Sequence, residues 1–231
     1  MKYVCVNFGD KYNNAYVDAL YHMVFKYNKI DHFICITDRY RNINNKIQQY
    51  MVPKSEYEGA WNKLHYFNPI LPLPNEFIAL DLDIIIQSRY SFNKIESNAL
   101  LFINPEWGDD SNMDDIAQPT FINSSIMYIN RESNQYKKIS KAIERGDWYP
   151  FWSMDRFFYN ILGKKSTRYF HDLKVYSYLD QQKIRREQKD MHVCLLNKTG
   201  GNFFLSLDKN HWIFNYYPVH LSYPSTYHID Q

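Results

Sequence analysis

The stretch Phe77-Ile-Ala-Leu-Asp81-Leu-Asp83-Ile-Ile-Ile86 decides the fold. Its apolar start predicts a buried strand, which runs directly into two carboxylates separated by one residue. While the chain stays extended, Asp81 and Asp83 lie on one side of the strand and Leu82 on the other. Ligands of open α/β sheets bind at the carboxyl ends of the strands. The pattern therefore predicts a polar site at that edge of a sheet.

Two such carboxylates suit one divalent cation, because their Cα atoms are about 7 Å apart in an extended chain. Hard oxygen ligands favour Mg²⁺ or Mn²⁺ over Zn²⁺. One alternative is a strand end that simply meets water. Another is the aspartyl-phosphate motif DxDxT or DxDxV, but here its fifth position is Ile85.

The segments around this stretch alternate between strand and helix patterns. That alternation predicts an α/β fold with a mostly parallel central sheet and helices on both faces. The predicted strands are 3–8, 32–37, 50–52, 77–80, 100–103 and 120–129, with short strands near Val175 and at 193–196. The predicted helices are 12–27, 61–67, 133–145 and 154–162, and the polar segment 40–49 is expected to be a connection.

Length and composition fit one globular domain over residues 1–231, since 45% of the residues are hydrophobic. A net charge of +2, from 27 basic and 25 acidic residues, argues against a nucleic-acid binder. The most apolar run, 77–86, contains two Asp and is far shorter than the ~20 residues of a membrane span. The N-terminus lacks the apolar region of a signal peptide. Three distant cysteines without a CxxC motif predict buried, reduced thiols in a cytoplasmic protein: Cys5, Cys35 and Cys194.

Three further motifs each have a structural explanation of their own. Residues 61–67 (WNKLHYF) form an amphipathic turn in which Lys63 would be solvated. Residues 121–128 (FINSSIMY) read as a strand with a bulge at its small polar residues. In 152–156 (WSMDR), Ser153 can cap the following helix and Asp155 can favour its N-terminus.

Taken together and in this order, the motifs resemble the GT-A glycosyltransferases. The similarity is to the retaining group of glycogenin and galactosyltransferases, with their small bacterial and viral relatives, and it covers roughly residues 1 to 200. The matching segments are VCVNFGDKY (4–12), FICITDR (33–39), WNKL (61–64), FIALDLDIII (77–86) and FINSSIMYI (121–129).

The resemblance implies a metal-dependent transfer of a hexosyl unit from a nucleotide-sugar, most simply a UDP-sugar, to an acceptor hydroxyl with retention. Residues 1–90 would form the nucleotide-binding half, ending at the DxD motif, and 91–231 the half for donor sugar and acceptor. The implied Mn²⁺ or Mg²⁺ ligands are Asp81, Asp83 and Asn197. The implied nucleotide-sugar ligands are Asn7, Gly9, Lys11, Tyr12, Asp38, Lys63, Asp81 and Lys198, and the implied catalytic residues are Asp155 and Asn123.

Two positions depart from the family pattern. The family's Gly-Asp-Gln is Met154-Asp155-Arg156 here, and Asn197 stands where a late His completes the metal site. Asn can ligate a hard cation through its carbonyl oxygen, and His192 and His211 are nearby substitutes. The departures also leave a second hypothesis open, a non-catalytic nucleotide- or carbohydrate-binding module on a degenerate GT-A scaffold.

Overall fold

The computed structural model describes residues 1–92, 95, 97–105, 120–178, 187–196 and 207–217, which build a central sheet with a small second sheet beside it. The strands are β1 (Lys2–Asn7), β2 (His32–Thr37), β3 (Ile47–Met51), β4 (Glu76–Leu80), β5 (Ile84–Ile86), β6 (Leu101–Ile103), β7 (Asn123–Asn130), β8 (Val175–Ser177) and β9 (Val193–Leu195). The helices are α1 (Asn14–Tyr27), α2 (Asn134–Glu144) and α3 (Met154–Leu162), with 3₁₀ helices at Gly59–Phe67 and Trp212–Asn215.

The central sheet has the strand order β3-β2-β1-β4-β7-β6. Strand β1 is parallel to both β2 and β4, and β2 is parallel to β3. Strand β7 is antiparallel to both of its neighbours, β4 and β6. Five strands therefore run in one direction and only β7 runs against them, which confirms the mostly parallel sheet.

Helices cover both faces of this sheet, because successive residues of each strand point to opposite sides. Tyr3 and Cys5 of β1 belong to the apolar cluster that contains α1. Val4 of the same strand belongs to a second cluster, which contains α2, α3 and the 3₁₀ helix Gly59–Phe67. The predicted layered α/β arrangement is confirmed.

The second sheet has the order β5-β9-β8, with β5 antiparallel and β8 parallel to β9. The chain leaves the central sheet at Leu80 and enters the second at Ile84, so residues 81–83 form the crossing between the two sheets. Leu82 is buried there, whereas Asp81 and Asp83 are only half-buried. The DxD motif thus keeps the predicted alternation at a junction that the sequence did not reveal.

Several boundaries differ from the predicted ones. Strand β3 starts at Ile47, inside the predicted connection, because an edge strand tolerates polar residues and the Gln49 side chain hydrogen bonds to the backbone of Arg41. Helix α1 starts at Asn14, where Asn13 caps it by accepting from the backbone N–H of Ala15.

Strand β7 begins three residues later than predicted, at Asn123, and the motif 61–67 is a 3₁₀ helix. The pairing of β6 with β7 shifts between Phe102 and Ile103, which places an irregularity at the small polar residues of β7, as predicted. All three cysteines are buried free thiols. Among the described helices, none combines the length and apolar character needed to cross a membrane.

Candidate functional site

Lys63 lies at the centre of the candidate site. The 3₁₀ helix Gly59–Phe67 places its ammonium 2.7 Å from Oδ1 and 2.8 Å from Oδ2 of Asp81, and 3.5 Å from the Ser124 hydroxyl. The Lys63 and Asp81 side chains are only 12% and 16% exposed. The interpretation of Lys63 as a solvated surface residue is therefore wrong.

Asp155 reaches the same place from the opposite side. It lies in the first turn of α3, whose N-cap Ser153 accepts from the backbone N–H of Arg156, as predicted. Oδ1 of Asp155 also accepts a hydrogen bond of 2.9 Å from the backbone N–H of Ser124. Capping alone does not account for Asp155, because its carboxylate joins α3 to the start of β7.

The irregular start of β7 holds these groups together. Asn123 accepts from the backbone N–H of Ser125 through its side-chain oxygen, which fixes the local turn. The carbonyl of Ser125 accepts from the backbone N–H of Asp81 at 2.9 Å. Ser124 thus lies between Lys63 and Asp155, and it is a site residue that the sequence analysis missed.

The turn that carries Asp83 is held from two other directions. Tyr12, in the loop before α1, donates a hydrogen bond of 2.8 Å to Oδ2 of Asp83. The buried Tyr217 hydroxyl lies 2.7 Å from the carbonyl oxygens of both Leu82 and Ile84. The sequence placed Tyr217 only in an aromatic-rich segment, with no sign of this contact.

A buried arginine organises the loop after β1. Arg41 is 4% exposed and donates to the carbonyl of Gly9 at 2.7 Å, to Asp38 at 2.8 Å and to the Thr37 hydroxyl at 2.8 Å. Asp38 also accepts from the backbone N–H of Gly9, whose φ of 65° favours glycine. Burial opposes the charge of Asp38, but Arg41 and the Gly9 N–H outweigh it and lower its pKa. Sequence reasoning found Asp38 and Gly9 but missed Arg41.

A cavity of about 340 Å³ opens between these two loops. It is lined by Asp10, Tyr12, Asn13, Asn14, Ala15, Arg39 and Arg41. Since Tyr12 also contacts Asp83, the cavity adjoins the DxD turn. Lys11 is exposed, with its ammonium 4.9 Å from the centre of the Tyr12 ring.

Asn7 ends β1 close to this loop, and it is 1% exposed. Within the part of the chain that the structure describes, neither polar atom of its side-chain amide has a hydrogen-bond partner. Such a group costs free energy in a protein interior, so it calls for an explanation.

The charges in this site do not balance. Burial on its own would lower the pKa of Lys63, but the carboxylates of Asp81, Asp155 and Asp83 raise it overall, so the lysine is charged. Burial raises the pKa of Asp81 to about 6, despite the lowering effect of Lys63. Burial also raises the pKa of Asp155. Three carboxyl groups thus share one cationic side chain.

The oxygen ligands at the DxD turn fit a metal that binds together with a phosphate ligand. The described residues contain no cluster of three His, Cys, Asp or Glu side chains that could hold an ion alone. Mg²⁺, however, is commonly bound by one or two carboxylates with substrate phosphates and water. Asp81 and Asp83 supply such a pair, whereas Asn197 and Lys198 lie outside the described residues.

The two substitute histidines make other contacts. His192 accepts from the backbone N–H of Lys174 through Nδ1, at 2.9 Å. His211 caps a 3₁₀ turn and has its Nε2 3.3 Å from the hydroxyl of Tyr178.

Comparison with known proteins gives similarity in structure but not in sequence. No sequence family matches the chain, and no curated protein matches it in sequence. The galactosyltransferase LgtC, solved with donor and acceptor sugar analogues, superposes with a TM-score of 0.56 at 13% identity, over 87% of this chain and 89% of LgtC. GlyE from Streptococcus pneumoniae gives 0.61 at 10% identity, over 87% and 55%. A glycosyltransferase involved in glycosylating the major capsid of PBCV-1 gives 0.51 at 14% identity, over 86% and 93%.

At these identities the similarity establishes the fold. The architecture that the ordered motifs predicted is confirmed, with the DxD turn at the end of β4 and the catalytic candidates on β7 and α3. The chain therefore has the GT-A fold of these glycosyltransferases.

Proposed function

We propose that this protein is a metal-dependent glycosyltransferase that moves a hexosyl unit from a UDP-sugar to an acceptor hydroxyl. The observation that carries the proposal is the convergence of Lys63, Asp81, Asp83 and Asp155 at the junction of the two sheets. Their position at the carboxyl edge of a central sheet is where α/β proteins bind ligands, and the fold is shared with glycosyltransferases.

The charge balance supports a diphosphate accompanied by a cation. Asp81, Asp83 and Asp155 are opposed by Lys63 alone among the contacts described above, so a bare diphosphate would meet net negative charge. A Mg²⁺ or Mn²⁺ ion held by Asp81 and Asp83 would neutralise the leaving diphosphate and act as a Lewis acid. When the donor binds, Lys63 adds a charge-assisted contact to its phosphate oxygens.

The nucleoside fits the side of the site next to α1. The 340 Å³ cavity lies there, beside the loop that Arg41 and Asp38 hold in place. An incoming base or ribose would give the buried amide of Asn7 the partners it lacks. In this proposal the nucleotide is bound by Asn7, Gly9, Lys11, Tyr12 and Asp38, with Lys198 at the diphosphate.

Asp155 and Asn123 serve the sugar in this proposal. Positive charge develops at the anomeric carbon as the diphosphate leaves, and a nearby carboxylate stabilises it. Ser124 orients the Asp155 carboxylate through its backbone N–H, and Asn123 lies at the adjoining start of β7. Retention of configuration follows from the resemblance to the retaining group.

One observation favours the second hypothesis, the non-catalytic binding module. Arg156 replaces the Gln that the family pattern has beside the catalytic Asp. A module of this kind would bind UDP-sugar without breaking its glycosidic bond.

Donor hydrolysis separates the two hypotheses. UDP-glucose, UDP-galactose and their N-acetylhexosamine counterparts are incubated with the protein and Mn²⁺ or Mg²⁺, and released UDP is measured by chromatography. We expect metal-dependent release from at least one donor, and its loss in Asp155→Asn. Binding of a UDP-sugar without release would support the module, and the absence of any UDP binding would contradict both hypotheses.

A further inference from the structure

Two large aromatic side chains are exposed beside the candidate site. Trp152 is 81% exposed and Tyr149 is 70% exposed, and both belong to the segment 148–152 (WYPFW) between α2 and α3. Exposed aromatic surface of this kind marks a binding region when it adjoins a functional site.

The segment is anchored from below. The Tyr149 ring stacks on Trp148, with 4.0 Å between ring centroids and 23° between the planes. Trp148 is buried and contacts Trp61 of the 3₁₀ helix at 5.1 Å. An added Cβ at Gly146, whose φ is +75°, would lie 3.2 Å from the Tyr149 ring. The exposed rings therefore stand on a packed base that also supports the helix of Lys63.

The position relative to Asp155 defines what can bind there. Trp152 lies three residues before Asp155, so their Cα atoms are at most about 10–11 Å apart. That separation is about the length of one or two pyranose rings. The Arg156 guanidinium lies 5.8 Å from the centre of the Trp152 ring, so a polar donor accompanies the apolar surface.

We propose that Trp152 and Tyr149 form an acceptor subsite that binds the apolar face of a pyranose ring, with Arg156 facing its hydroxyls. The inference deepens the proposed function and rests on it, since an acceptor sugar must approach Asp155. An aromatic plane removes the C–H face of a sugar from water while its hydroxyls remain hydrogen-bonded. The mixed aromatic and cationic surface favours a carbohydrate over an apolar protein partner.

The test follows indole N–H signals by ¹⁵N NMR in protein saturated with UDP and Mg²⁺. The probes are the methyl β-glycosides of glucose, galactose, N-acetylglucosamine and xylose, each added to about 100 mM, because a single ring binds weakly, with a Kd of about 1–30 mM. Trp152→Ala identifies the Trp152 signal. Phe25→Ala is the matched control, since Phe25 is another exposed aromatic residue, on α1.

We expect a saturable shift of the Trp152 signal with at least one glycoside, and at least a tenfold loss of that affinity in Trp152→Ala but not in Phe25→Ala. Calorimetry on the same proteins should give an unchanged UDP affinity in Trp152→Ala. A Trp152 signal that no probe moves, or glycoside binding that survives Trp152→Ala, would overturn the subsite. So would a loss of dimerisation in Trp152→Ala, measured by sedimentation, with no response to glycosides. If UDP fails to bind while glycosides still shift the signal, the proposed function is wrong and the sugar site stands.

Discussion

Replacing Lys63 with Met keeps an unbranched side chain but removes the ammonium that contacts both carboxylate oxygens of Asp81. The variant leaves three carboxyl groups in the site without this cation. We expect it to lower the stability of the free protein and to weaken diphosphate binding. Combined with Asp81→Asn, it forms a double-mutant cycle that isolates the interaction between the two side chains.

The size of the effect follows from the geometry. At 2.7 Å the gross attraction at an effective dielectric constant of 20 is about 6 kcal/mol, most of which desolvation offsets. Breaking a buried pair costs about 3–5 kcal/mol, and the residual exposure of 12% and 16% places this pair below that range. We predict a loss of about 2–3 kcal/mol for Lys63→Met and a coupling energy of about 1–3 kcal/mol with Asp81→Asn.

Binding gives a second readout of the same change. A charge-assisted contact to phosphate is worth about 1.5–3 kcal/mol, which lowers UDP affinity about ten- to hundredfold. Uridine, which lacks the phosphates, should bind both proteins with nearly equal affinity.

Urea unfolding measures the stabilities, and calorimetry measures the affinities for UDP and uridine. Lys26→Met, which changes an exposed lysine of α1, is the matched control and should alter stability by less than about 0.5 kcal/mol. A coupling energy below about 0.5 kcal/mol would refute the role of the ion pair. Equal losses for UDP and uridine would refute a phosphate contact and indicate a deformed pocket.

Three other substitutions test neighbouring parts of the account. Asp83→Asn should reduce UDP affinity in Mn²⁺ at least tenfold, about 1.4 kcal/mol, with little change in EDTA and an unchanged circular dichroism spectrum. Tyr217→Phe removes the hydroxyl that contacts the carbonyls on both sides of Asp83 and should cost about 1–2 kcal/mol in urea unfolding, with weaker UDP binding; unchanged values of both would contradict its role. Burial lowers the pKa of His65 to about 4, below the 6.5 of the unfolded chain, so the unfolded state takes up the proton first and stability is lost as pH falls from 6.5 towards 4. The loss from pH 7.5 to 5 should be about 2 kcal/mol in the wild type and largely absent in His65→Gln, and equal pH profiles would contradict this.

Features that depend on neighbouring residues could be predicted from the sequence. The apolar run before Asp81 was sufficient to place β4 and to locate the polar site at its end. Ser153 was identified as a helix cap because capping is a local interaction, and the structure has that contact. The ordered set of such motifs was enough to predict the GT-A fold.

Contacts between distant parts of the chain could not be predicted in this way. The pairing of β5 with β9 joins segments far apart in sequence, so Ile84–Ile86 read only as a continuation of an apolar run. Lys63 has the pattern of a surface residue, and only the fold brings Asp81 and Ser124 to it. Tyr217 is 135 residues from Leu82, and no local pattern connects them.

The most direct test of the central claim is a calorimetric titration of UDP into the wild-type protein, once with Mn²⁺ and once with EDTA. A site with two carboxylates at the DxD turn and one paired lysine should bind UDP with a Kd of about 1–100 μM in Mn²⁺ and at least a hundredfold more weakly in EDTA, a difference of about 2.7 kcal/mol or more. Equal affinities in the two titrations, or no binding in either, would contradict a metal–diphosphate site at Asp81 and Asp83.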